Sequence, residues 1–153
     1  MHCGRNPWMI ALLVFAVMRC SGREVTRADL QGTWTVVNES RERMPESYRK
    51  SSPSLKLRSD GTFEAADLPG EVLYVREPAR EQTVSGTGRW SVQSNERNTM
   101  LTLDFMQITA GGEGKVPFRA EMHASAIGKG TRLYYFSGDA DEGNKIYFEK
   151  RGV

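Results

Sequence analysis

The sequence predicts an all-β chain, an up-and-down antiparallel barrel of about eight strands, on three observations. β-Favouring residues recur in short runs, turn signals separate the runs, and no long helical stripe interrupts them. Mostly short connections join neighbouring antiparallel strands, and this gives the meander.

The strands are expected near 32–39, 53–59, 62–67, 84–93, 99–107, 117–127, 131–137 and 145–151. Ser59-Asp60-Gly61 turns the second into the third, because glycine and aspartate tolerate the backbone a tight hairpin needs. Gly128-Lys129-Gly130 does the same later, and 95–98 and 138–144 are further polar reversals. Successive strand residues point to opposite faces. Leu101, Leu103 and Phe105 therefore share one face, with Thr102 and Asp104 on the other. Val116, Phe118, Ala120, Met122, Ala124 and Ala126 form an inward set, against Arg119, Glu121, His123 and Ser125. Two longer connections, 40–52 and 69–83, are expected at one barrel end, the first holding a short helical turn.

Residues 1–22 differ from the rest. His2 and Arg5 precede the apolar run from Met9 to Met18, which is followed by Arg19, Cys20, Ser21 and Gly22. This is a signal-peptide pattern, and ten helical residues rise only about 15 Å against a bilayer core of roughly 30 Å. Three fates stay open: plain export with cleavage after Gly22, a lipid anchor on Cys20, or an uncleaved anchor. Residues 23–153 form the single barrel domain.

The leader changes the charge arithmetic. The 153 residues carry 21 Lys plus Arg against 19 Asp plus Glu, but Arg5 and Arg19 lie in the leader. Cleavage leaves 131 residues with no net charge and, without Cys3 and Cys20, no thiol. No field for nucleic acid is expected, and no metal or cofactor; the membrane is met only through the signal or a lipid.

The ordered motifs Gly32-Thr33-Trp34, Leu57-Arg58-Ser59-Asp60-Gly61-Thr62-Phe63, Gly86-Thr87-Gly88-Arg89-Trp90 and Gly138-Asp139-Ala140-Asp141 to Phe148-Glu149-Lys150 resemble those of small bacterial lipocalin-like envelope proteins. The similarity runs from about Leu30 to Arg151. It implies that Gly32 and Trp34 close the barrel floor, with the indole beneath a basic residue of the last strand. Arg151 is the matching candidate, with Lys150 as substitute. The later Thr-Asp-Tyr pattern of typical lipocalins is missing, so the resemblance is to a reduced barrel.

Gly86, Gly88, Ala120, Ala124 and Ala126 are small residues at strand spacing. They imply either a cavity lined by Trp90, Phe118, Met122 and Tyr135, or glycines that permit bends while aromatics pack over them. Tyr134, Tyr135, Phe136, Tyr147 and Phe148 put aromatics on both faces of two consecutive strands, one set core and the other sheet support or a binding face. Asp139, Asp141 and Glu142 do not follow the calcium-loop order and read as a hairpin turn. His123 has no cysteine partner and no nucleophile elbow, so no enzyme is expected. Arg41, Arg43, Arg49 and Lys50 are interleaved with glutamates and read as a solvated loop. The leading expectation is an exported monomeric barrel, periplasmic or secreted, that binds a small, partly apolar ligand. The alternative is a filled barrel that contacts an envelope protein or the cell wall, and a hydrolase or isomerase comes last.

Overall fold

In the computed structural model, which describes residues 23–73, 82–95, 98–110 and 118–152, the alternating runs close on themselves. The strands are β1 (Gly32–Val36), β2 (Ser54–Leu57), β3 (Thr62–Pro69), β4 (Thr83–Ser94), β5 (Thr99–Ala110), β6 (Phe118–Ile127), β7 (Gly130–Phe136) and β8 (Lys145–Lys150). Each pairs antiparallel with the next, and β1 also pairs with β8, giving a closed eight-strand barrel. Residues 1–22, including Cys20, lie outside the described residues.

Connections on one end are the turns after β2, β4 and β6. Together with the short helix α1 (Arg27–Leu30) just before β1, they form the floor. The opposite end, the mouth, carries α2 (Asn38–Arg41), α3 (Glu46–Arg49) and 3-10 turns at Gly70–Leu73 and Ala140–Glu142. The expected helical turn in 40–52 is thus two short helices. The first begins at Asn38 and ends β1 at Val36, short of the expected 39.

The inward side chains alternate as the sequence implies. Trp34, Leu55, Leu57, Phe63, Leu101, Leu103, Phe105, Ala120, Met122, Leu133, Ile146 and Phe148 are buried in one continuous core. In β3 the parity changes. Ala65 and Leu68 both face in because the register shifts between them, and Asp67 takes a left-handed φ of 52° there. Its N–H donates to Ser85 Oγ at 2.9 Å, which satisfies the donor that the bulge displaces from the ladder.

Gly86 and Gly88 sit beside two shifts in the β4–β5 register. A Cβ on Gly88 would run into the Asp104 carbonyl oxygen and lie 2.8 Å from the Phe63 ring. One on Gly86 would collide with the Gln107 carbonyl and lie 2.9 Å from Phe105. Phe63 and Phe105 meet edge to face at 4.9 Å, so the space beside the glycines holds aromatic rings.

Candidate functional site

Local sequence builds the floor. Thr26 and Asp29 form a reciprocal cap on α1, with the Thr26 N–H donating to Asp29 Oδ2 at 2.9 Å. These bonds, with Arg23 alongside, hold the Asp29 carboxyl below its usual range. The cap aims Leu30 into the barrel end, where it is fully buried, and its carbonyl accepts from Trp34 Nε1 at 2.8 Å. Lys150 Nζ lies 5.3 Å from the Trp34 ring centroid and donates to the Asp29 carbonyl at 2.7 Å. Burial of the ammonium lowers the Lys150 pKa. Gly32, at φ 129°, lets the Lys150 stem pass: a Cβ there would lie 3.3 Å from it.

Arg151 is exposed, and its backbone N–H donates to Thr33 O at 2.8 Å. The cation over Trp34 is therefore the substitute, Lys150. Strand parity carried this signal: Ile146 and Phe148 face inward, so 150 takes the inward side and 151 the outward.

Of the four cavity candidates, Trp90, Met122 and Tyr135 are brought to the interior, all at 3% exposure or less. Phe118 opens β6, and its side chain lies outside the described set. Trp90 belongs to the floor, since its Nε1 donates to the Arg58 carbonyl at 2.9 Å and Arg27 lies 4.4 Å over its ring. Tyr135 belongs to the mouth. Its buried hydroxyl has no hydrogen-bond partner among the described residues, and desolvation, with Glu71 and Tyr48 nearby, pushes its pKa up.

The two longer connections lie together at the mouth as expected, but the side chains that fill it were not foreseen. The Gly70–Leu73 turn reaches β6 and buries Val72, while Met44 and Tyr48 fill from the α2–α3 side. Ser137 Oγ donates to Glu71 Oε2 at 2.8 Å, linking that turn to the end of β7. Arg41 and Arg49 bond the loop's own carbonyls, at Ser51 and Met44.

Outside the barrel, His123, Tyr134 and Tyr147 lie in register across β6, β7 and β8. His123 stacks on Tyr134 at 5.1 Å, Phe136 meets both rings edge-on, and Lys145 Nζ is 4.7 Å from the Tyr134 centroid. Among the described residues His123 Nδ1 has no hydrogen-bond partner. The three acids after β7 close a turn, in which the Asp141 N–H donates to Asp139 Oδ1 at 3.1 Å.

Two surface clefts adjoin the floor. One of about 420 Å³ runs between Arg23, Lys129 and Glu149; the other, of about 690 Å³, runs between the β4–β5 turn and β6. No family model, curated protein or solved structure matches this chain.

Proposed function

We propose that this chain is a non-enzymatic, lipocalin-like barrel with a solidly filled interior, acting through its outer surface as an interaction module of the cell envelope. One observation carries the reading. Phe63, Leu101, Leu103, Phe105, Ala120 and Met122 have no surface that water can reach. An internal void wide enough for water would leave surface on the side chains lining it. A bound small molecule asks for roughly 300–1,000 Å³ of pocket, and Trp90, Met122 and Tyr135, three of the side chains expected to line one, are buried in the core.

The order of the glycine–tryptophan motifs and the cation over Trp34 support the lipocalin-like identity. The basic, apolar and small-residue sequence of 1–22 supports export, with Cys20 as a lipid acceptor the alternative to simple cleavage.

A second reading, a small ligand held beneath the Gly70–Leu73 turn, is favoured by the unpaired Tyr135 hydroxyl. Native mass spectrometry of the protein purified from its own host separates the two. The filled-barrel reading expects the mass of the polypeptide, with at most a covalent lipid that survives denaturation. A non-covalent mass released on denaturation would overturn it in favour of the ligand.

A further inference from the structure

The formal neutrality of residues 23–153 hides a separation of charge along the barrel axis. At the floor, ion pairs join Arg23 to Asp29, Arg58 to Glu64 and Arg132 to Glu149. Among the described floor residues this leaves Arg27, Lys129, Lys150 and Arg151 against Glu24 and Asp60. The mouth has the opposite sign: across 37–53, 70–73 and 137–145, seven acids stand against five cations. The segments 74–81, 96–97 and 111–117 each contain as many cations as anions in the sequence, so neither balance depends on them.

One floor turn adds an apolar element. Ile127 ends β6 with 48% of its surface exposed, and Gly128, at φ 57°, turns the chain into the exposed Lys129. Both line the cleft of about 420 Å³, with Arg23, Arg132 and Lys150 around them. Arg23 holds the turn by donating to the Lys129 carbonyl at 2.8 Å. The segment 1–22 joins the barrel at this same residue. With a lipid on Cys20, the three residues to Arg23 reach at most about 11 Å, which puts the floor, not the mouth, beside the bilayer.

Cations around an exposed aliphatic side chain suit a surface with phosphates outside and hydrocarbon beneath. A soluble polyanion matches the cations but has no apolar layer for Ile127. We infer that the floor docks on an anionic phospholipid surface, its cations at the phosphates and Ile127 in the acyl boundary. The acid-rich mouth then points away from the membrane. The inference rests on the envelope reading above and names the partner of the outer surface.

The test is flotation of the protein, purified from its host, with vesicles of phosphatidylcholine and with vesicles that also contain phosphatidylglycerol. The readout is the ratio of the two partition coefficients, in which the hydrocarbon of a lipid on Cys20 or of a retained leader contributes to both and cancels. A basic residue near an anionic surface is worth about fivefold in partition, so the two cations in excess predict a ratio of roughly 25 that falls toward one as salt is added. Lys129→Glu removes that excess and should bring the ratio near one. Lys50→Glu makes the same change of net charge at the mouth and should leave the ratio as it is. Ile127→Ser should weaken binding to the anionic vesicles several-fold. All three side chains are exposed, so the core is untouched. A wild-type ratio near one, equal losses from Lys129→Glu and Lys50→Glu, or unchanged binding by Ile127→Ser overturns the inference; the last would mean a general attraction for polyanions. A ratio near one with a clean apo mass leaves the filled barrel standing with another partner, whereas a released ligand overturns the filled barrel without altering the vesicle ratio.

Discussion

The two ends of this barrel are closed by different physics. At the floor, two tryptophans each donate an indole N–H to a backbone carbonyl, Trp34 to Leu30 and Trp90 to Arg58, and each lies under a cation. At the mouth, Val72, Met44 and Tyr48 are buried plugs, hydrogen bonds from Ser137 Oγ to Glu71 and from the Tyr147 N–H to Ser40 Oγ cross, and the Tyr135 hydroxyl is buried without a partner among the described residues. Buried polar groups stabilise only when satisfied. On the described residues, the floor is therefore expected to anchor the fold more firmly than the mouth.

The largest expected effect comes from removing one plug at each end. Trp34→Ala leaves a cavity in a fully buried site and should cost about 3–5 kcal/mol. Val72→Ala, buried to 2%, removes the equivalent of two methylenes and should cost about 1.6 kcal/mol. Urea denaturation of both variants checks the order. Equal losses would mean that the mouth anchors the barrel as firmly as the floor.

A middle-sized effect sharpens the contrast in polar satisfaction. Trp90→Phe removes a bonded indole N–H, while the Arg58 carbonyl keeps its bond from the Gly61 N–H, so it should destabilise by about 0.5–1.5 kcal/mol. Tyr135→Phe deletes an oxygen that bonds nothing, and should be neutral or stabilise by up to about 1–3 kcal/mol. If Tyr135→Phe destabilises as Trp90→Phe does, the hydroxyl has a partner in solution and the second, ligand-binding reading gains.

The floor was largely legible in the sequence, for reasons visible in particular residues. Glycine beside tryptophan, Ser59-Asp60-Gly61 and the Leu101–Phe105 alternation are local signals, and each lies in the strand or turn it predicts. The motif put Arg151 first; the inward parity of β8, which would have chosen Lys150, was the signal left unused. The mouth was illegible because its plugs come from connections with no period. Met44, Tyr48 and Val72 sit among charged residues, and only the closed barrel gives them an apolar end to fill. Likewise the bulge at Asp67 follows from a strand mismatch between β3 and β4 that no single run displays. The larger floor cleft was missed for a related reason: it arises where two strand lengths disagree, Thr99 against Ile127, which is a property of pairing.

The smallest expected effect lies on the outer face and depends on pH. His123 packs against Tyr134 and Phe136, and burial, reinforced by Lys145 and opposed by Glu121, lowers its pKa from the usual 6.5. The unfolded chain then binds a proton more readily than the folded one between the folded-state pKa and 6.5. Stability should accordingly be complete above 6.5, fall as pH drops below it, and level off once the folded-state pKa is passed. Asp29 has its pKa lowered from 3.8, so its contribution is lost only as the pH falls below that. Denaturation midpoints of the wild type and His123→Gln, compared across mildly acidic pH, check this. The variant should lose the step just below 6.5 and keep the acid limb. A step of unchanged size in His123→Gln would show that the aromatic face is not what titrates, and that His123 lies on that face without shaping its stability.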